Sequence, residues 1–482
     1  MENRVNSCVF ILAGMTLFLL TGCGGVNSPA PTPTPGPTPN EWTWVSGSAS
    51  VNQAGIYGTQ GVAAAGNTPG ARVNPCAFTD LSGNFWLFGG YGTGSPAEYG
   101  DLNDLWKYSG GMWTWVSGSN HIEQAGTYGT LGGPNASNVP GARFMAACWT
   151  DVSGNFWLFG GVGLDSAGTR GSLNDLWKYS GGQWTWTSGS NTVAEVNVAA
   201  GEYRPGVYGT QGVPAPDNVP GARDDAATWT DLSGNLWLFG GGGYDSTGAI
   251  GILNDLWKYS GGQWTWMSGS NTHNQMGTYG TLGTPAPGNV PGARNNPVTW
   301  VDKSGNLWLF GGQGEPASGT PYGAGPYDLN DLWKYSGGQW TWMGGSNVNS
   351  QPGVYGTQGT AAPGNIPGAR ECAVSWTDAA GNFWLFGGFG FDSRSGAYEV
   401  YGDLNDLWKY SGGQWTWMSG SNLAGQTGTY GTQGTPAPGN APGARADTVG
   451  WIDGSGNLWL LGGAALNELP DGKFNDLWKY QP

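Results

Sequence analysis

Asn-Asp-Leu-Trp-Lys-Tyr occupies residues 103–108, and the same hexapeptide returns at 174–179, 254–259, 330–335, 405–410 and 475–480. Successive copies lie 70 to 80 residues apart, so the chain is an array of six like units. Outward from the hexapeptide the likeness continues. Upstream come Pro-Gly-Ala-Arg, an eight-residue step to Asp, Ser-Gly-Asn or Ala-Gly-Asn, and Trp-Leu-Phe-Gly-Gly, which is Trp-Leu-Leu-Gly-Gly in the sixth unit. Downstream comes Ser-Gly-Gly-Gln-Trp-Thr-Trp, with Met112 in place of Gln in the first unit and no such segment after the sixth hexapeptide.

The unit that starts at Arg294 reads as four short strands. Residues 295–301 form the first and end at Asp302, where Lys303-Ser304-Gly305-Asn306 supplies the small and polar residues of a tight turn. Leu307-Trp308-Leu309-Phe310 is apolar without a break, as in a strand covered on both faces. Gly311-Gly312 ends it. Residues 329–335 form the third strand, Ser336-Gly337-Gly338-Gln339 a second turn, and Trp340-Thr341-Trp342-Met343 the fourth. Nothing in the unit has a helical period. Sheets covered on both faces and repeated in series stack radially into a propeller.

Pro-x-x-Arg, a strand ending in Gly-Gly, and Tyr335 followed seven residues later by Trp342 resemble the kelch repeat. The resemblance spans residues 41–482 and implies an all-β, six-bladed kelch-type β-propeller with four antiparallel strands per blade. The units exceed the usual kelch length of about 50 residues because of an insert between the fourth strand and the next Arg. It reads Gly-x-Tyr-Gly-Thr-x-Gly and then a Pro/Ala-rich run. The chain opens with a lone fourth strand, Trp42-Thr43-Trp44-Val45, and stops just after a third. Residues 42–45 are therefore expected beside 475–480, closing the last blade and covering exposed edges. All 29 Trp fall in strand columns of the repeat, so they are assigned to packing between blades and not to a ligand.

Residues 1–22 read as an export signal: Arg4 precedes an apolar run over 9–20 that is short for a membrane span. Leu20-Thr21-Gly22-Cys23 resembles a bacterial lipobox, which implies lipid on Cys23 and a place in the cell envelope, anchored to the outer membrane or cell surface. The proline-rich run 28–40 is a spacer, roughly 40 Å if it extends as polyproline II. A net charge of −15 argues against nucleic acid as a partner. Cys76, Cys148 and Cys372 are too far apart in sequence to suggest a disulfide framework or a zinc site, and are read as small buried apolar residues.

Function is less legible. The 1–2 and 3–4 turns are nearly invariant, whereas the 2–3 and 4–1 loops, on the opposite face, carry the variation. On that face each unit brings an Arg and the two variable residues after it to the mouth of the expected channel. The candidate ligand-binding set is Arg72 and Asn74, Arg143, Arg223 with Asp224 and Asp225, Arg294 with Asn295 and Asn296, Arg370 with Glu371, and Arg445 with Asp447. The arginines have a second reading, as structural partners of a local carboxylate such as the Asp of Asn-Asp-Leu-Trp.

The expected role is a binding module, a monomer, for an unidentified protein or glycan, with no catalytic residue, metal or cofactor. The alternative is a kelch enzyme acting on a carbohydrate or alcohol. The resemblance there is to galactose-oxidase-like copper oxidases, which need two His, two Tyr and a crosslinked Cys, or to sugar-acid epimerases. His121 and His273 stand in non-adjacent repeats and are read as exposed loop residues. Asp165, Asp245 and Asp392 lack the ligand spacing of a calcium loop.

Overall fold

The computed structural model describes residues 39–193, 204–317, 327–394, 401–465 and 472–482. The expected signal, Cys23 and nearly all of the spacer lie outside them. Among the described residues every regular element is a β-strand.

Each unit folds because its turns are built into its sequence. In the fourth, Asp302 Oδ1 accepts the amides of Ser304 and Asn306 at 2.9 and 3.0 Å, and Oδ2 accepts Trp308 Nε1 at 2.9 Å. One carboxylate thus closes the turn and pins the first Trp of the next strand. The sheet that follows has Val298–Val301, Leu307–Phe310, Leu332–Ser336 and Gln339–Gly344 as successive antiparallel strands. Among the described residues six sheets carry four strands in this order.

The last sheet draws on both ends of the described chain: Val449–Ile452, Leu458–Leu461, Leu477–Gln481 and then Glu41–Ser46. Trp42 pairs with Tyr480 and Trp44 with Trp478. The Trp42 ring is 2% exposed and sits within 5.3 Å of Phe386 and 5.0 Å of Tyr480.

The first strands of the sheets are neighbours in cyclic order, from Cys76–Thr79 through Ala147–Thr150 and onward, and Val449–Ile452 contacts Cys76–Thr79 again. The core lies between sheets. Trp229 and Phe239 of the third pack with Leu309 and Trp333 of the fourth, and Phe85 and Trp106 of the first pack with Trp451 and Leu477 of the last. Indoles also bind between sheets, as when Trp229 Nε1 of the third donates to the carbonyl of Trp308 of the fourth at 2.9 Å. This radial stacking of antiparallel sheets is the arrangement of a β-propeller.

Three features depart from the sequence reading. Residues 295–301 are not one strand: Arg294–Asn295 and Val298–Val301 are separate, because Asn296 has φ of 49° and Pro297 offers no N–H. Arg294–Asn295 pairs instead with Gln313–Gly314, beyond Gly311-Gly312. A Cβ on Gly312 would come within 2.5 Å of the Asn295 carbonyl, so the second glycine permits that approach.

The insert has a structural use. In the first unit Ala64 bridges to Trp113 on the outer strand, Asn67 Nδ2 donates to the Trp113 carbonyl at 3.1 Å, and Tyr57 reaches inward to Asp104 at 2.7 Å. It covers an outer edge that would otherwise be open to pairing with another chain.

Finally, Cys76 and Cys148 form a disulfide, with Cα atoms 5.9 Å apart, which corrects their reading as small apolar residues. Their distance in sequence misleads because the first strands of adjacent units pack side by side, which brings the fourth residue after Arg72 next to the fifth after Arg143. Cys372 is free.

Candidate functional site

The six arginines do not line an open mouth. Arg223 is 1% exposed, and its Nη1 and Nη2 hold Oδ1 and Oδ2 of Asp255 at 2.7 and 2.8 Å. Its Nε donates to the Gly221 carbonyl and Nη1 also to that of Gly240. Asp255 Oδ2 further accepts Tyr208 Oη at 2.6 Å and Trp257 Nε1 at 2.7 Å. The same fork joins Arg72 to Asp104, Arg143 to Asp175, Arg294 to Asp331, Arg370 to Asp406 and Arg445 to Asp476. These are closed networks, paired in both charge and hydrogen bonds, as a buried ion pair must be. The expectation that Arg72, Arg143, Arg223, Arg294, Arg370 and Arg445 present themselves to a ligand is therefore corrected. They fasten the hexapeptide to the loop that precedes the first strand.

The second residue after each Arg has a backbone task. Asn74, Met145, Asp225, Asn296, Cys372 and Asp447 all have positive φ, between 48° and 59°. In this conformation the amide of Asp225 reaches the Met145 carbonyl at 3.0 Å, and that of Asn296 reaches Asp225 at 3.0 Å. The circuit continues through Cys372 and Asp447 and returns by way of Asn74 and Met145, one bond per unit. Asn and Asp tolerate left-handed φ better than most residues, which accounts for four of the six identities without a ligand.

Their side chains still give the centre its character. Burial holds the Asp225 carboxyl well above the ordinary carboxylate range, and Asp224, Asp447 and Glu371 push it further. Glu371 is raised to about 7, by burial first and then by Asp447, with Asn296 opposing. Gln313 Nε2 donates to Glu371 Oε1 at 3.0 Å. Asp328 is fully buried beside it, and its carboxyl is raised by burial and then by Glu371.

Asp224 and Asn295, the first variable residues of their units, line one cavity of about 440 Å³ on the face of the 2–3 and 4–1 loops. Ser172, Asn274, Tyr244, Ile250 and Ile252 also line it. A Cβ on Gly242 would lie 3.2 Å from Asp224 Oδ1 and 3.7 Å from both Asn295 amide atoms, so the two side chains converge over that glycine. Burial raises Asp224 to about 7, although Arg223 opposes the shift. Asn295 Oδ1 is buried without a hydrogen-bond partner. An acceptor without a donor, beside a carboxyl that burial favours uncharged, suits a ligand that brings hydroxyl or amine hydrogens.

A larger hollow of about 560 Å³ lies at the outer rim, walled by Leu282, Met343, Val354 and Ile366. Its amides are already used: Asn365 Nδ2 donates to the carbonyls of Thr360 and Trp415.

Ser172 and Ile252 belong to a column that the sequence reading passed over. The residue two places before Asn-Asp-Leu-Trp is Asp101, Ser172, Ile252, Asp328, Asp403 or Lys473. Ser172 and Ile252 line the cavity, Asp101, Asp328 and Asp403 are buried, and the column varies in chemistry from unit to unit except between the adjacent Asp328 and Asp403. Asp101 takes Arg170 Nε at 2.8 Å, and Lys473 lies 5.3 and 5.0 Å from the rings of Tyr91 and Tyr99. The signal was there as a variable position beside an invariant motif.

His273 is half-exposed, with Nδ1 2.7 Å from Asp245 Oδ2, and His121 is exposed. Asp165 Oδ1 accepts the amides of Ala167 and Thr169, closing its loop.

No protein-family model matches the chain, and a search of curated proteins returns no match. Several solved structures are similar at low identity. That of YjhT shares 14% identity over 85% of this chain and 95% of its own, with a TM-score of 0.47. A fungal alcohol oxidase of the AA5 family, in complex with copper, shares 11% over 89% and 77%, with a TM-score of 0.43. A protein of unknown function from Dyadobacter fermentans shares 9% over 93% and 100%, also with a TM-score of 0.43. The class of the protein, a β-propeller, rests on its own sheets.

Proposed function

We propose that the chain is a six-bladed kelch-type propeller, closed by its N-terminal strand and held at the cell envelope by lipid on Cys23. It acts as a binding module there. The ligand docks on the face of the 2–3 and 4–1 loops, in the cavity where Asp224 and Asn295 meet. The observation that carries this reading is the unpartnered Asn295 Oδ1 beside a carboxyl that burial has raised to about 7. Neutral hydroxyl groups satisfy both without a large charge rearrangement, and Ile252 offers an apolar wall. A glycan, or the hydroxyl-bearing tip of a protein, has that chemistry. The Cys76–Cys148 disulfide supports an oxidising compartment outside the cytoplasm.

The test is a glycan-array and titration measurement on the wild type, Asn295→Ala and Asp224→Ala. Binding lost in both variants, with thermal unfolding little changed, supports the proposal. A ligand whose affinity ignores both residues and falls when the Ser-Gly-Gly-Gln turns are altered overturns it.

A second reading, a kelch enzyme, draws on the raised carboxyls. Asp224 and Glu371 at about 7 are poised for general acid–base work near neutral pH. Proton exchange at a sugar-acid substrate, lost in Glu371→Gln, separates this from simple binding.

A further inference from the structure

The chain enters the described body at one particular end of the sheets. Asn40 donates its amide to the Gln481 carbonyl at 2.6 Å, and Glu41 pairs with Gln481, the last residue of the third strand. Residue 41 therefore starts at the end that carries the 1–2 and 3–4 turns, opposite the mouth.

Two properties of that end are unusual for this protein. The first is charge. The six lysines of Leu-Trp-Lys-Tyr each lie over the second-strand Trp, 5.0 to 5.8 Å from its ring, and that Trp is bonded to the turn Asp. With Lys303, in the fourth 1–2 turn, seven of the eight lysines gather here. Six turn aspartates and Glu41 balance them, so this end has no net charge and the whole of the −15 resides elsewhere.

The second is an apolar arc. Leu81, Val152 and Leu232 occupy equivalent places in consecutive turns and are 77%, 61% and 66% exposed. Each leans over the next turn: Leu81 side-chain atoms lie 2.6 Å from where a Cβ on Gly154 would be, Val152 does the same at 2.8 Å for Gly234, and Leu232 at 3.2 Å for Gly305. The three are thus contiguous and not scattered.

We propose that this turn face seats on the lipid surface to which the N-terminus is fastened, leaving the mouth and its cavity turned to the aqueous side. The inference rests on the reading of Cys23 as the anchor. A tether makes seating intramolecular, so a weak contact suffices. Three exposed aliphatic side chains supply the apolar area that such a contact buries. An end without net charge on an acidic body also meets anionic headgroups without repulsion.

The experiment uses the full chain in vesicles of phosphatidylethanolamine with a minor fraction of phosphatidylglycerol. An environment-sensitive dye is placed on Val152→Cys or on Ile250→Cys, in a Cys372→Ala background, and quenched with doxyl-labelled lipid. Ile250 is 58% exposed and lines the cavity at the mouth. Vesicle flotation of Cys23→Ser is measured in parallel. Strong quenching and a blue shift at Val152→Cys, none at Ile250→Cys, and loss of Cys23→Ser from the vesicles are expected. Retention of Cys23→Ser overturns the anchor and this inference with it. Loss of Cys23→Ser with an unquenched Val152→Cys dye, or with equal quenching at both positions, leaves the anchor standing and overturns the seating alone.

Discussion

Asn74 donates its backbone amide to the carbonyl of Asp447 at 3.2 Å, and so ties the first repeat to the last at the centre of the molecule. The outer contact between the same two ends is Trp42 with Tyr480. Inner and outer ties are made by residues nearly a whole chain apart. At this seam chain connectivity gives no help, so these contacts must hold it.

The outer tie should be costly to lose. Trp42 is buried against Phe386, Trp478 and Tyr480. Truncating a buried Trp to Ala costs about 3–5 kcal/mol. Trp42→Ala should lower the unfolding midpoint in denaturant accordingly, and deleting residues 1–47 should lower it further. A midpoint unchanged by the deletion would show that the N-terminal strand contributes nothing to stability.

Acidic pH should stabilise this protein over the neutral range. Asp224 and Glu371 have ordinary values of 3.8 and 4.5 and are raised to about 7 in the fold. The folded state therefore holds protons that the unfolded chain has released. That contribution is complete below about pH 4 and is lost as pH rises through about 7. The melting temperature should fall by several degrees between pH 5 and pH 8.5. Asp224→Asn with Glu371→Gln should flatten the slope, and an identical slope in the double variant would remove these two groups as its cause.

Reducing the disulfide should destabilise one seam and leave the others. Cys76 and Cys148 are 72 residues apart, and a disulfide is typically worth roughly 2–4 kcal/mol, towards the upper end for a loop this long. Hydrogen exchange on Cys76→Ser with Cys148→Ser should quicken first in Cys76–Thr79 and Ala147–Thr150. Uniform quickening through all six sheets would instead mark a single cooperative unit.

What could be read from the residues depended on whether a motif's physical cause was local. The turn at Asp302-Lys303-Ser304-Gly305-Asn306 was legible because its Asp, Gly and Asn act within five residues of one another. Trp packing was legible because each indole recurs in a strand column. The circuit from Asn74 to Asp447 was not, since alternation along a strand carries no information about φ. Polar residues chosen for a left-handed backbone were thus read as functional. The Cys76–Cys148 pair was missed for a different reason: their closeness exists only between units, after the sheets have stacked. Asp224 and Asn295 were singled out for their variability, yet the partner that makes them a cavity, Ser172, sat two residues before an invariant motif and drew no attention.

Arg223 and Asp255 decide whether the arginine column serves structure or binding. The pair is shut off from solvent, and Asp255 also accepts Tyr208 Oη and Trp257 Nε1. Asp255→Ala therefore strands a buried guanidinium and leaves two donors without their acceptor. Removing one partner of a buried pair costs about 3–5 kcal/mol, much of it from the charge left behind. Arg223→Met strands the carboxylate but leaves Tyr208 and Trp257 bonded to it, so its cost should be smaller than that of Asp255→Ala. The double variant should be less unstable than the sum of the two, since no unpaired charge remains. Denaturant unfolding of the four proteins measures all three quantities. If Arg223→Met instead keeps the wild-type midpoint and loses ligand, then the arginine belongs to the binding face after all.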